Sequence, residues 1–507
     1  MNTCHSKRHI LILLLIIPVF SITTALAAAS SSALPGTPVS GQADQPVSLT
    51  VVDPTPGATV VKLDFGSYAS RPVAIDGRDY LSLFFAGEAR TFDKGLPPLP
   101  RVCRSVIVPE DRAVKVSVVA AAYNDIEGVH IAPSKGILKR SVDPGTVPYT
   151  FDGFYGTDAW YPQDIATWSD PFIVRDVRGV TIAVHPMRYN PARETLRVYE
   201  SITLEVTETG PGVKNVLNRA GTSGKPSQPF NQILDGQFVN YAASGRYPLL
   251  NEFGELLIIT HDAFAANVQP LADWKNATGI PTTMVNVSAI GNDAASIQAY
   301  IQNFYDTHNL AFVLLVGDAA EVATLKSSGS AADPRYALVA GTDSYPDIFV
   351  GRFSAETADE VDTQVQRTIA YEQSNRQEAW FRRGTGIASN QGPGHYGEFD
   401  DEHMGFIRDD LMGYGYTHVD EFYDPGVTAS EVGAAVNQGR GIINYCGHGC
   451  TSSWSTSGFA IWHVDMLTND GKLPFITSVA CLNGAFENGT CFAEAWLRAT
   501  SGAAATG

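Results

Sequence analysis

The fold is decided by two stretches of the sequence, IINYCGHGC at residues 442–450 and FITSVACLNG at residues 475–484. Each opens with a run of apolar and β-branched residues that is typical of a buried strand, and each ends in Gly together with Cys or His. In an open α/β sheet, ligands bind beyond the carboxyl ends of the strands. The two stretches therefore predict two strands and a candidate site where they end.

The same pattern extends toward the N-terminus, because apolar runs alternate with helical stretches after residue 247. Further strands are predicted at 256–259, 312–318, 348–350 and 386–388, and helices at 297–305, 357–374, 399–413 and 429–438. Continuous rather than alternating apolar runs favour parallel strands that are covered by helices on both faces. We therefore predict an α/β part with two subdomains, 247–385 and 386–507.

Residues 47–208 show a different pattern, with short β-branched or alternating runs separated by turn residues. Examples are VVKLDF at 60–65 and VKVSVV at 114–119. This spacing predicts an antiparallel, all-β, sandwich-like domain. Residues 209–246 are rich in Gly, Ser, Asn and Pro and are predicted to be a linker, with a short ordered piece around 230–238.

The N-terminus has the features of an export signal. Lys7, Arg8 and His9 precede an apolar run from residue 10 to residue 22, and small residues around Ala27 suit cleavage there. A membrane anchor is the alternative, but the run is shorter than the roughly 20 residues needed to span a bilayer, and no later segment qualifies. We predict a signal peptide at 1–27, a flexible leader at 28–46, and a secreted or cell-surface protein.

Length and charge limit the class of protein. The 507 residues correspond to about three domains. A net charge of -18 argues against a nucleic-acid partner, which a basic surface would bind. No closing strand is predicted between the last helical stretch and Gly507, so we expect the final subdomain to be C-terminally truncated.

The cysteine count is informative once the signal is removed. Cys4 is lost, and five cysteines remain: Cys103, Cys446, Cys450, Cys481 and Cys491. An odd number in an oxidising compartment leaves at least one thiol unpaired or bonded to another chain. One of these cysteines is therefore a candidate reactive group.

Cys481 and His448 are the candidate reactive pair, since each follows one of the two deciding strands. A thiolate is a nucleophile and needs a base or cation nearby at neutral pH, which His448 would supply. Gly447 and Gly449 would let the backbone approach a substrate and offer amide hydrogens to an oxyanion.

Three other interpretations stay open for the same residues. Cys481 is a buried strand-end cysteine and His448 a loop residue in the simplest one. Cys446, His448 and Cys450 alternate and would point to one side of an extended segment, as zinc ligands do, although a fourth ligand is missing. Cys446 and Cys450 are also a candidate local disulfide.

Several blocks of sequence resemble the gingipain family of cysteine endopeptidases, in the same order along the chain. The blocks near the candidate site are CGHG at 446–449, WHV at 462–464, LTN at 467–469, LPFITSVACLNG at 473–484 and CFAEA at 491–495. The upstream blocks are DWKN at 273–276, VLLVGD at 313–318, VGRFS at 350–354 and YDPGVT at 423–428. The likeness covers residues 247 to about 500, and the β-rich region 50–210 resembles the inhibitory propeptide of that family.

The resemblance implies a caspase-like fold with Cys481 as nucleophile and His448 as general acid/base. It places the oxyanion hole at the amides of Gly449 and Cys481. The family has an acidic residue that orients the histidine, in the segment matching 389–392, but that segment reads Ser-Asn-Gln-Gly here. Either Gln391 orients the ring by hydrogen bonding or the pair works without a third member.

Asp400 lies in the acidic segment 398–403, which is also consistent with a solvated helix start, because carboxylates favour helix N-termini. In the family the matching residue lies at the base of the S1 pocket and selects an Arg side chain. A carboxylate suits that role, since guanidinium binds it through two parallel hydrogen bonds.

Calcium is the cofactor that the resemblance implies, with a structural role. Oxygen donors gather in the segment DSYPD at 343–347, although a plain acidic turn explains it equally well. The resemblance assigns a first site to Asp318, Ala340, Asp343, Tyr345 and Asp347. It assigns a second site to Glu398, His403, Phe486 and Glu494.

These features together predict a secreted cysteine endopeptidase, made as a zymogen, that cleaves protein or peptide substrates after Arg, with Lys as the alternative. Its own propeptide is the expected partner, and cleavage between Arg246 and Tyr247, at the end of the linker, is the expected processing step. The alternative is a catalytically weak or inactive binding protein of the cell surface that keeps the same fold.

Overall fold

A computed structural model describes residues 47–85, 87–139, 142–217, 228–241, 253–392, 394 and 398–500. The predicted signal peptide and leader, and the predicted processing site at Arg246 and Tyr247, lie outside the described residues. Within the described part, no helix is both long and apolar enough to cross a membrane.

The region before residue 212 is built from strands, as predicted. The strands are β1 (Val47–Asp53), β2 (Ala58–Phe65), β3 (Ala69–Ile75), β4 (Arg78–Phe84), β5 (Ala89–Arg90), β6 (Pro100–Ile107), β7 (Arg112–Ile126), β8 (Ala166–Trp168), β9 (Phe172–Val174), β10 (Val177–Val184), β11 (Met187–Asn190) and β12 (Thr195–Pro211). They pair antiparallel in two five-stranded sheets and a separate hairpin. The all-β prediction is confirmed, and we call this region the β-rich part.

The larger apolar core of the β-rich part lies between its two larger sheets. Alternation puts Val61 and Leu63 of β2 and Ile202 and Leu204 of β12 into this core. The short ordered piece expected in the linker is the helix α1 (Gln228–Gln237).

The remaining chain alternates strands and helices. Its first half contains β13 (Glu255–Thr260), α2 (Ala265–Ala277), β14 (Thr282–Asn286), α3 (Val287–Ile290), α4 (Ala294–Thr307), β15 (Leu310–Val316), β16 (Lys326–Ser327), β17 (Ser330–Ala331), β18 (Phe349–Phe353) and α5 (Ala358–Gln373). Its second half contains β19 (Arg383–Ala388), α6 (Asp400–Tyr414), β20 (His418–Tyr423), α7 (Ala429–Gln438), β21 (Ile442–Cys446), β22 (Gly449–Cys450), β23 (Ser453–Trp454), α8 (Ile461–Val464), β24 (Phe475–Val479) and α9 (Phe492–Arg498).

Each half has a four-stranded parallel sheet with helices on both faces. The first has the order β14-β13-β15-β18, with α4 packed on one face and α2 and α5 on the other. The second has the order β20-β19-β21-β24, with α6 on one face and α7 and α9 on the other. The predicted fold class, parallel sheets with flanking helices after an all-β domain, is confirmed.

Glycine is required where α6 packs on the second sheet. A Cβ on Gly386 would come within 2.5 Å of the Met404 side chain of α6. The helix therefore approaches the strand closely, which fixes the start of α6 beside the end of β19.

Candidate active site

Three polar residues of the candidate site follow three neighbouring parallel strands. Ala388 pairs with Cys446, and Cys446 pairs with Val479, at the ends of β19, β21 and β24. The segments that carry Gln391, His448 and Cys481 therefore leave the sheet at the same edge, as the sequence predicts.

The loop that carries His448 is fixed by its own backbone. The amide of Gly447 donates to the Val479 carbonyl at 3.2 Å, which joins this loop to β24. The His448 carbonyl accepts from the Tyr445 hydroxyl at 2.5 Å and from the Ser455 amide at 2.9 Å. The imidazole thus projects from a backbone held on both sides.

The histidine loop lies directly against the cysteine loop at Gly449. A Cβ there would come within 2.9 Å of the Ala480 Cβ and 3.1 Å of the Cys481 carbonyl oxygen. No larger residue fits without displacing the backbone of one loop. Glycine at this position is the local feature that lets the two strand ends meet.

Asn483 holds the two loops together, a role that sequence reasoning missed. Its buried side chain donates from Nδ2 to the Cys450 carbonyl at 2.6 Å and to the Ser453 carbonyl at 3.1 Å. Its Oδ1 accepts from the Ser478 hydroxyl at 2.9 Å. These carbonyls lie 33 and 30 residues before Asn483, so the local sequence carries no signal for the contacts.

Cys481 is exposed and carries a free thiol. Leu482, the next residue, has φ of 61°, in the left-handed region that non-glycine residues seldom adopt, and its side chain is exposed. Such strain costs on the order of 1–3 kcal/mol and is found most often at functional sites. The interpretation of Cys481 as a buried strand-end cysteine is wrong.

His448 is oriented by Gln391. The ring nitrogen Nε2 lies 2.7 Å from the Gln391 Oε1, which can only accept, so Nε2 carries the hydrogen. The lone pair of the neutral ring is then on Nδ1, which is left to act as the base. Of the two possibilities open at the sequence level, the structure has the one in which the amide orients the ring.

Asp400 is buried beside the same site. It is the first residue of α6 and is 3% exposed. Its Oδ2 accepts from the Ser389 hydroxyl at 2.5 Å, and its amide donates to the Gln391 carbonyl at 2.9 Å. The carboxylate and the histidine-orienting amide are therefore held by one short segment, 389–391.

The other cysteines of this region do not form a zinc site or a disulfide. Cys446 is buried and Cys450 is exposed, so they do not point to one side, and none of the five cysteines of the described part forms a disulfide. No group of three or more metal-binding side chains occurs among the residues the structure describes. Hydroxyls of Ser452 and Ser453 lower the pKa of Cys450 to about 7.

The residues assigned to the first calcium site are not brought together as ligands. Asp318 lies beside Arg498, with 3.2 Å between carboxylate and guanidinium. Asp343 and Asp347 accept backbone N–H groups, and Ala340 donates its amide to Asp347 at 2.7 Å. The Tyr345 amide donates to Asp343 at 2.9 Å. These donors occupy the oxygens that a cation would need.

The second set is divided between two places. Glu398 and His403 lie 3.5 Å apart at the start of α6. Glu494 is buried and accepts from Ser354 at 2.6 Å and from Arg498 at 2.7 Å, while Phe486 lies under the Arg352 guanidinium. The arrangement of both sets does not fit a bound ion, and calcium binding stays a prediction.

A sheet edge that brings together a thiol, an oriented imidazole and a buried carboxylate places the chain in the class of α/β proteins built like cysteine peptidases. The sequence profile of Peptidase family C25 matches residues 250–506, and Propeptide_C25 matches residues 75–247. The chain belongs to peptidase family C25.

Two similar proteins come from Porphyromonas gingivalis, and one solved structure is also similar. Gingipain R2 is 38% identical over 424 residues, which cover 82% of this chain and 57% of the relative. Lys-gingipain is 21% identical over 442 residues, covering 84% of this chain and 26% of the relative. A crystal structure of the Arg-specific cysteine proteinase gingipain R is 37% identical, covers 49% of this chain and 60% of that chain, and has a TM-score of 0.48. The chain thus spans little more than half the length of gingipain R2.

Proposed function

We propose that this protein is a cysteine endopeptidase that cleaves after Arg and is made as a zymogen. The observation that carries the proposal is the His448 loop, which is packed against the Cys481 loop at Gly449 and has its ring oriented by Gln391. The family membership supports the same reaction class.

The geometry supports a two-step acyl transfer. Nδ1 of His448 takes the proton of the Cys481 thiol, and the thiolate attacks the scissile carbonyl carbon. The backbone amides of Gly449 and Cys481 are the proposed donors to the oxyanion. The imidazolium then gives its proton to the leaving amine, and a water molecule, activated by the same ring, hydrolyses the thioester.

Asp400 is the proposed determinant of specificity. Asp400 is buried beside the site, and a substrate guanidinium offers such a carboxylate both a compensating charge and the matching two-donor geometry. The higher identity to gingipain R2 than to Lys-gingipain supports Arg over Lys.

The test of the function is a panel of peptidyl amides that differ only in the residue before the cleaved bond. We expect turnover with Arg to exceed turnover with Lys, and both to exceed turnover with Ala. A chain that binds peptides without turnover would instead support the surface binding protein.

Replacing Gln391 by Ala is expected to lower kcat about 10- to 100-fold with little change in KM, because the ring loses its orientation but the substrate contacts remain. Glu at this position also accepts from Nε2–H and is expected to restore kcat, whereas Met fills the same space and is not. A Met variant as active as the Glu variant would show that the amide only packs.

Replacing Asp400 by Asn is expected to lower kcat/KM for Arg substrates roughly 30- to 1000-fold, because a buried charge pair with substrate is lost. Asp401→Asn makes the same charge change at the next position of α6 and serves as the matched control. An Asp400→Asn enzyme with an unaltered preference for Arg would refute the assignment.

The zymogen proposal rests on the β-rich part. Burial lowers the pKa of Arg90 in β5 to about 10, Arg71 adds to this effect, and Glu398 opposes it. Glu398 precedes α6 by two residues, so the β-rich part reaches the region of Asp400.

Export by the predicted signal peptide and release of the mature chain by cleavage after Arg246 complete the proposal. N-terminal sequencing of the mature chain tests the cleavage.

A further inference from the structure

The turn between β9 and β10 binds a loop of the first parallel-sheet half. The amide of Ile173 donates to the Asp343 Oδ2 at 2.9 Å, and the amide of Arg175 donates to the Asp347 Oδ1 at 2.8 Å. Two carboxylates of the loop 339–347 therefore accept hydrogen bonds from two backbone amides, one in β9 and one in the turn that follows it.

Arg175 extends this contact with its side chain. It is fully buried, and its Nη1 donates to the Leu310 carbonyl at 2.6 Å while its Nη2 donates to the Asn309 Oδ1 at 2.7 Å. Its own carbonyl accepts from the Tyr305 hydroxyl at 3.2 Å. One residue thus contacts the loop, the start of β15 and the helix α4.

The carboxylates are satisfied by amides from both sides of the contact. Asp347 is 0% exposed, and its Oδ2 accepts from the amides of Val339 at 3.0 Å and Ala340 at 2.7 Å. Three N–H donors therefore offset part of the cost of burying this carboxylate, a cost that a bound cation otherwise offsets.

Apolar contacts surround the polar ones. Phe172 stacks on Tyr345 with ring centroids 4.1 Å apart, and Phe230 of α1 stacks on Phe349 at 4.5 Å. Phe172, Phe230 and Phe349 belong to an apolar cluster shared by the β-rich part and β15, whereas Tyr345 is exposed at its edge. The buried end of the contact, at Asp347, is shielded from water, which strengthens the hydrogen bonds there.

We propose that the loop 339–347 is a docking site for the β-rich part of this same chain, held by Asp343, Asp347 and the Arg175 anchor, and not a calcium site. In this loop, the carboxylates that the family resemblance assigns to a calcium ion accept hydrogen bonds from the β-rich part. The proposal concerns the attachment of the β-rich part and is independent of the peptidase activity.

Hydrogen–deuterium exchange on the full-length chain tests this, with Cys481→Ala in every sample to prevent self-cleavage. We expect Asp347→Asn to accelerate exchange about tenfold in residues 172–184 and 339–349, because the amide N–H₂ of Asn faces the donors. Exchange in the second sheet should stay unchanged. Asp359→Asn, an exposed carboxylate on α5, is the matched control.

The variant Arg175→Gly tests the contribution of the Arg175 side chain apart from that of the turn's backbone conformation. Arg175 has φ of 56°, which glycine adopts freely, so this variant suits the backbone of the turn and removes the guanidinium contacts, including the pair with Asp176 at 3.2 Å. We expect exchange to accelerate to the same extent in the same two segments. Adding a calcium chelator to the protein without these interface substitutions should not accelerate exchange. Unchanged exchange in both variants, or a chelator that loosens the interface, would overturn the proposal.

Discussion

Replacing Cys481 by alanine is expected to lower kcat/KM by about 10⁴-fold or more, because no other group can replace the nucleophile. The fold should persist, since the thiol is exposed and fills no core position. The measurement is hydrolysis of an Arg peptidyl amide, together with thermal unfolding of the same sample.

Cys450→Ala is the control for this experiment. Cys450 is also exposed, and hydroxyls of Ser452 and Ser453 lower its pKa to about 7, so it is the other thiol expected to react at neutral pH. Its loss should leave turnover within about threefold of the unsubstituted enzyme. Retained hydrolysis in the Cys481 variant, or abolished hydrolysis in the Cys450 variant, would contradict the assignment.

Replacing Arg498 by methionine is expected to destabilise the folded protein by about 3–5 kcal/mol, because it leaves buried carboxylates without a cation. The guanidinium lies 2.7 Å from Glu494, 2.9 Å from Glu356 and 3.2 Å from Asp318. It also donates to the Ser354 carbonyl and hydroxyl. The measurement is the denaturant midpoint in the Cys481→Ala background.

Two variants bracket this effect. Arg498→Lys keeps the charge but not the planar set of N–H donors of the guanidinium, so an intermediate loss of folding stability is expected. Arg408→Met removes a partly exposed cation whose partners are Asp409 and Glu421, and should cost less than about 1 kcal/mol. Equal midpoints for the Arg498 and Arg408 variants would show that the buried network does not stabilise the fold.

The central strands could be predicted from sequence because they are buried on both faces. Continuous apolar runs marked the central strands β13, β15 and β21. The run of β24 was also recognised, although this strand lies at a sheet edge and its residues are half-buried or exposed. The strands β14 and β20 were missed, and both lie at sheet edges. An edge strand such as HVDEFY at 418–423 keeps polar residues, so its pattern is weaker.

The candidate pair could be predicted because each residue follows such a strand in sequence. Parallel pairing of β21 and β24 then fixes where His448 and Cys481 emerge. The contact of Gln391 with His448 could be named only as one of two possibilities, through the family resemblance. The contacts of Asn483 could not be predicted, because a side-chain amide that bonds across loops leaves no periodic signal.

The acidic residues show that residue type alone does not identify a cation site. Asp343 and Asp347 carry the composition of a cation site, but they accept amides from a turn about 170 residues earlier in the chain. Asp318 similarly lies beside a guanidinium 180 residues later. Which donor compensates a carboxylate depends on contacts between distant segments, which the local sequence does not contain.

The most direct test of the central claim is labelling with a peptidyl-Arg chloromethyl ketone at neutral pH, followed by mass spectrometry that locates the modified cysteine. We predict that Cys481 is alkylated far faster than Cys450, and that Asp400→Asn slows this labelling while iodoacetamide still reacts with Cys450. Labelling that favours Cys450, or that is equally fast with a reagent lacking the Arg side chain, would contradict an Arg-specific site built on Cys481 and His448.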